Sequence, residues 1–216
     1  EIDDAPVFHL DEAFREEQNA KQLLLHHDDA LKADWPDDVT KVVANIPYQI
    51  SSPLIKKLTR HLKAQTNPIA HVVLMLQLEF AQRLSMNHPA DIGSLGLTVA
   101  LDWDVEEHHI VPPHHFSPQP AVQSQVVGMK PHGREFPADK RLLQQMIHHA
   151  FDQRRKKIRS SMKKAPRRIS RIKGWHAQRW KDAMQSLQDL DIMNARPEEL
   201  TLEDWVDFAK KVEKGS

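Results

Sequence analysis

The stretch Lys41-Val42-Val43-Ala44-Asn45-Ile46-Pro47-Tyr48-Gln49-Ile50-Ser51-Ser52-Pro53-Leu54 carries the signals of a strand, a turn and a helix in immediate succession. Lys41 to Ile46 is short, apolar and β-branched with little alternation, the pattern of a strand buried in a parallel sheet. Pro47 lacks a backbone N–H, fixes its own φ and restricts Ile46 to extended geometry, so the strand stops there. Ser52 is placed to cap a helix with Pro53 at its first position, and Leu54, Leu58 and Leu62 fall on one face of that helix. Asn45 to Tyr48 is therefore expected at the carboxyl end of a strand, where open α/β sheets bind their ligands.

The same rhythm extends outward. Asp11 to Gln22 reads as a helix, and His71-Val72-Val73-Leu74-Met75-Leu76 as a second buried strand. Strands alternating with helices favour a doubly wound α/β sheet with crossover helices. Leu95 to Leu101 and Gln125 to Met129 read as late, antiparallel strands of that sheet, flanking the Pro-rich connection Val111 to Pro120. After Pro131-His132-Gly133 the chain reads as helices: Lys140 to Ser161, Trp175 to Asp189 and Leu202 to Lys214. The expected organisation is an α/β domain over residues 1–132 and a smaller all-helical domain over 133–216.

Composition narrows the function classes. The 216 residues contain no Cys, which removes disulfides, thiolate metal sites and a cysteine nucleophile together. No run of about eighteen apolar residues is present, so a soluble protein with an intracellular address and no membrane partner is expected. Many of the 14 His residues are adjacent, as in His26-His27, His108-His109 and His114-His115. Adjacent side chains do not share a face of a helix or strand, and no metal site is expected. The 30 basic and 30 acidic residues cancel in sum but are unevenly placed. Residues 1–38 are strongly acidic, whereas Gln153 to Lys181 concentrates Arg154, Arg155, Lys156, Lys157, Arg159, Lys163, Lys164, Arg167 and Arg168. Charge runs are commonly solvated helix faces, but such asymmetry also fits a local polyanion-binding face.

Asn45-Ile46-Pro47-Tyr48 has the parts of a device for holding a planar amine. The Asn45 side-chain oxygen and a carbonyl in or before the Ile46-Pro47 unit can accept the two N–H bonds of an adenine exocyclic nitrogen. That makes the nitrogen more tetrahedral and turns its lone pair toward an electrophile, so placement rather than strong base catalysis would supply the rate. Tyr48 offers a flat face for an extruded base.

The segment from Asn45 to Leu54 resembles the rRNA adenine dimethyltransferase family, the bacterial KsgA type with its archaeal and eukaryotic dimethyladenosine transferase relatives. Further matches follow in order: Met75 to Leu84 resembles the family's next strand-to-helix segment, and Phe116 to Ser124 its Phe-x-Pro-x-Pro-x-Val loop. Phe151 to Arg159 and Arg196 to Leu200 resemble two signatures of its helical domain. The resemblance implies a Rossmann-like class I methyltransferase sheet with a helical C-terminal domain. It also implies S-adenosyl-L-methionine as cofactor and dimethylation of adjacent adenines near the 3′ end of small-subunit rRNA, linked to ribosome biogenesis.

Implied site residues are Asn45, Ile46, Pro47 and Tyr48 for catalysis, and Glu1, Ile2, Asp29, Ala30 and Asn45 for the cofactor. Glu1 would meet the ribose hydroxyls and Asp29-Ala30 the cofactor adenine. Tyr48 and Phe116 would sandwich the target base. The basic helix with Arg154, Arg155, Lys156, Lys157 and Arg159 would contact RNA phosphates. Partners would be small-subunit rRNA and the pre-ribosomal small subunit, for a monomer in the cytoplasm. The chain departs from the family at its front, because the first strand and Gly-x-Gly-x-Gly turn do not precede Glu1. A sheet incomplete at its N-terminal side is expected, with truncation as the reason, and weak or absent cofactor binding by the chain as it stands. Ala121 and Gln123 also replace the Lys and acidic residue usual in the loop after Pro120. The alternatives are a catalytically impaired rRNA-binding assembly factor and a relative of mitochondrial transcription factors.

Overall fold

In the computed structural model, which describes residues 1–64 and 69–215, strands and helices alternate through the first half of the chain and helices dominate the second. The residues pack into two compact units, one made of Glu1–Lys41 and Pro47–Ile69, the other of Val42–Ile46 and Ala70–Ser216.

The first unit contains α1 (Asp4–Ala13), α2 (Arg15–Asn19) and α3 (Ser51–Ala64). The expected helix over Asp11 to Gln22 instead begins at Asp4 and is interrupted at Phe14, whose φ of −116° and ψ of 27° leave the helical region. Neither α1 nor α2 buries a residue, so no core-facing stripe fixes their limits. The apolar face expected downstream is present in α3, where Leu54, Ile55 and Leu58 are buried. That helix starts at Ser51, ahead of the expected Ser52 cap, because a 3-10 turn over Tyr48–Ile50 runs directly into it.

The second unit holds a four-stranded sheet in the order β1-β2-β4-β3, from β1 (Lys41–Asn45), β2 (His71–Gln77), β3 (Trp103–Val111) and β4 (Ser124–Pro131). In the chain α3 lies between the neighbouring strands β1 and β2. β4 returns antiparallel to β2, pairing Val72 with Met129 and Gln77 with Ser124, and β3 is antiparallel to β4 with a register shift between Glu107 and Ile110. β2 buries Val72, Leu74 and Leu76 on one face. β1 departs from the buried strand expected: it ends the strand order, and Val43 is 81% exposed. Its apolar composition is that of a buried strand, but burial depends on what lies beside and above it.

Leu95 to Leu101, expected as a strand, contains the helix α5 (Ser94–Val99), which follows α4 (Leu78–Ser85). A short apolar run satisfies either geometry, and packing selects between them. Leu97 and Leu101 belong to the same buried cluster as Leu142, Met146, Trp180, Trp205 and Phe208. Those later residues lie on α6 (Lys140–Phe151), α8 (Ala177–Ser186) and α9 (Leu202–Lys214), and the short α7 (Ile158–Ser161) lies between α6 and α8. The expected long helix from Lys140 to Ser161 is thus two helices separated by turns, whereas α9 has the limits read from the sequence.

Candidate active site

Asn45 closes β1 and is exposed, and the chain then bends through Pro47 at φ −56° and ψ 130°, extended as proline requires. The Pro47 carbonyl accepts from Ile50 N at 3.1 Å, and the Tyr48 carbonyl accepts from Ser51 Oγ at 2.8 Å. These two bonds hold the turn that carries the half-buried Tyr48. The tetrapeptide lies at the end of a strand with its amide open to solvent, and it is not packed into a core.

The acidic residues assigned to the cofactor are brought together within the first unit. The Glu1 carbonyl accepts from Asp28 N at 2.9 Å, the Glu1 amine donates to the His26 carbonyl at 3.0 Å, and His27 Nε2 lies 3.1 Å from the Ile2 carbonyl. Glu1 and Ile2 therefore run beside the segment that leads to Asp29 and Ala30. Glu1 Oε1 accepts from Ile2 N at 2.8 Å and Asp3 N at 3.1 Å, while no hydrogen bond claims Oε2 among the described residues. The amides of Asp3 and Ile2 hold the Glu1 carboxyl below its ordinary range. Asp29 Oδ1 accepts from Leu31 N at 2.8 Å, and that bond chiefly lowers its carboxyl in the same way, with Lys32 assisting at 3.4 Å. Both groups are thus ionised acceptors, the chemistry that ribose hydroxyls and an adenine amino group call for. On that count the residues present fit S-adenosyl-L-methionine.

Lys57 and Trp35 were not singled out by the sequence, yet they hold this segment. The Lys57 ammonium donates to the carbonyls of Ala30, at 2.9 Å, and Ala33, and stands 4.6 Å from the Trp35 ring centre. Trp35 Nε1 donates to the same Ala30 carbonyl at 3.1 Å. A lysine within an amphipathic helix gives no sequence signal of such a task.

In the second unit Phe116 is half-buried in the connection from β3 to β4, its N–H donating to the Pro113 carbonyl at 3.1 Å. The two helical-domain signatures meet: Ile158 N donates to the Ala195 carbonyl at 2.9 Å, and Arg154 Nε lies 3.9 Å from Glu198. The expected basic helix over Arg154 to Arg159 is not formed: α6 ends at Phe151, residues 152–155 form turns, the chain bends at Lys156, and Lys157 is extended before α7. Arg154, Arg155, Lys156, Lys157 and Arg159 are all exposed on this stretch. Among the described residues no helix is long and apolar enough to cross a membrane, and no cluster of three or more His, Asp or Glu is arranged to hold a metal ion.

The architecture is a Rossmann-like α/β fold that two solved transferases share. The chain superposes over its full length on 81% of a crystallographic dimethyladenosine transferase from Plasmodium falciparum, with a TM-score of 0.80 at 23% identity. Over 97% of its length it superposes on 80% of the 23S rRNA methyltransferase ErmE, with a TM-score of 0.61 at 20% identity. The profile of the family described as ribosomal RNA adenine dimethylase matches residues 1–180, and the chain belongs to that family. It is 38% identical over 157 residues to ribosomal RNA small subunit methyltransferase A of Alcanivorax borkumensis, covering 69% of this chain and 55% of that protein. To the protein of the same name from Pseudomonas putida it is 37% identical over 171 residues, 76% of this chain and 61% of the relative. The chain thus spans little more than half the length of these relatives.

Proposed function

We propose that this chain is part of an S-adenosyl-L-methionine-dependent enzyme that dimethylates adjacent adenines near the 3′ end of small-subunit rRNA, acting in the cytoplasm on the pre-ribosomal small subunit. The observation that carries the reading is the exposed Asn45 amide at the end of β1, followed at once by the rigid Pro47 turn. The names of the relatives support the substrate class. Glu1, Ile2, Asp29 and Ala30 would hold the cofactor, which when bound supplies an electrophilic methyl group on a sulfonium.

The chain's own residues do the positioning. Asn45 Oδ1 accepts one N–H of the target amine. The second N–H is accepted by a backbone carbonyl of the Ile46-Pro47 unit, of which the Pro47 carbonyl also accepts from Ile50 N and keeps one lone pair. With both N–H bonds held, the nitrogen lone pair is directed at the methyl donor. Tyr48 and Phe116 would stack on the everted base, as aromatic side chains do on unpaired bases. The exposed cations from Arg154 to Arg159 would neutralise RNA phosphates. Residues 1–132 would then carry the chemistry and residues 133–216 the RNA docking.

The test is methyl transfer to small-subunit particles by the full-length gene product. Asn45→Ala is expected to lower kcat by about a hundredfold or more, the size of effect seen when one oriented acceptor or donor is lost from a reacting centre. Retention of most activity would remove Asn45 from the mechanism. RNA binding without turnover in the unaltered protein would favour an assembly factor instead.

A further inference from the structure

Where β2 passes into α4, Gln77, Leu78, Glu79 and Gln82 face Val122 and Gln123 across an open hollow of about 290 Å³. Its two walls are fixed relative to each other. Gln77 pairs with Ser124 in the sheet, and Leu78 N donates to the Gln123 carbonyl at 3.0 Å. The carboxamides of Gln77, Gln82 and Gln123 make no hydrogen bond to another protein group among the described residues. Each therefore offers N–H donors and a carbonyl acceptor to whatever enters. Val122 is 42% exposed and, with Leu78, gives the hollow an apolar surface.

These properties select among the parts of an RNA. Among the described residues Glu79 carries the only charge in the lining, and it is negative, so a phosphate would be repelled. A ribose would use the amides but not the apolar surface. A nucleobase uses both, because its edge alternates donors and acceptors while its faces are apolar, and unpaired bases are recognised in this way. β2 is the neighbour of β1 in the sheet. Asn45 is the last residue of β1 and Gln77 the last of β2, so the two positions lie on neighbouring strands.

We infer that this hollow receives an unpaired nucleobase of the RNA next to the one held at Asn45, with the glutamine carboxamides reading its edge. The inference rests on the RNA-modifying function proposed above. It assigns Gln82 and Gln123 to substrate selection rather than to methyl transfer.

The experiment measures binding of the full-length gene product to a fluorescent RNA hairpin whose loop carries two adjacent adenines, and to two versions in which one or the other adenine is abasic. Gln82→Ala combined with Gln123→Ala is expected to weaken binding to the intact hairpin about tenfold, the combined worth of two ordinary hydrogen bonds. The loss should vanish on one of the two abasic hairpins, with the salt dependence and the thermal midpoint unchanged. An equal loss on all three hairpins, or no loss on any, overturns the inference. Arg154→Glu with Arg155→Glu separates the two failures. If that variant binds weakly and the glutamine variant does not, the hollow alone is wrong. If the unaltered protein binds none of the hairpins, the proposed function falls and the inference falls with it.

Discussion

At Asp29 the carboxylate answers first to its own turn, through Leu31 N at 2.8 Å, and at Glu1 to the amides of Ile2 and Asp3. Both carboxyls are thereby held below their ordinary values of 3.8 and 4.5. The sign of the effect on stability follows from proton linkage. A carboxyl with a depressed folded pKa contributes stability that is complete above its unfolded pKa and is lost as pH falls through the folded one. These two groups should add no slope to the thermal midpoint above about pH 5, and they should add a decline below about pH 4.5 that Asp29→Asn makes shallower. Midpoints recorded from pH 7 to pH 3 check this, and an acid limb of identical slope in the variant would disprove the role of Asp29. Lys57 responds oppositely: burial lowers its pKa, while Asp34 and Asp29 pull it back up. Two carbonyls and the Trp35 face stand in for part of the water that its amino group gives up.

Among the elements, the basic segment differs most usefully from its sequence reading. α6 ends at Phe151, one residue after Ala150, the last of its buried face, and Lys157 is extended, at φ −64° and ψ 153°, before α7 begins. Arg154, Arg155 and Lys156 therefore project from a turn rather than from one helix stripe, and with Phe151, Asp152 and Gln153 they border a hollow of about 450 Å³. Reversing Arg154 and Arg155 to Glu should weaken RNA binding and reduce the slope of log affinity against log salt by about one for each phosphate that is no longer neutralised. An unchanged slope would return the segment to ordinary solvated surface. The strand-to-helix error at α5 has a similar origin. A Cβ added to Gly96 would come within 2.7 Å of the Arg83 carbonyl, so the close approach of α5 to α4 depends on a glycine that the sequence reading takes into the strand from Leu95 to Leu101.

At the scale of the whole molecule, only the second unit has a large apolar cluster among the described residues, running from Leu97 and Leu101 through α6, α8 and α9. Trp205 is fully buried there, its ring 6.5 Å from Phe151 and 6.3 Å from Phe208. Trp205→Ala should destabilise this unit by about 3–5 kcal/mol, the usual cost of emptying a large aromatic site. Denaturant unfolding checks it, and a loss below about 1 kcal/mol would mean that the cluster collapses around the gap. Across position 133 the two parts of the chain are also tied by Lys140 Nζ, 2.6 Å from the buried Asp102. A division of labour between residues 1–132 and 133–216 is thus proposed on function, because the packing is continuous through Leu97 and Leu101.

The sequence by itself determined the strand-turn-helix at Asn45 to Leu54, the pairing partner strand at Gln125 to Met129, and the helix at Leu202 to Lys214. Each is specified locally, by proline geometry, β-branched runs, a Thr201 cap or an unbroken apolar face. Only tertiary structure decided that Leu95 to Leu101 contains a helix, that Val43 lies exposed, that Lys57 grips the Ala30 turn, and that Gln77, Gln82 and Gln123 converge. Those outcomes depend on which distant surface arrives beside a segment, and a short apolar run or a lone polar side chain carries no record of that neighbour.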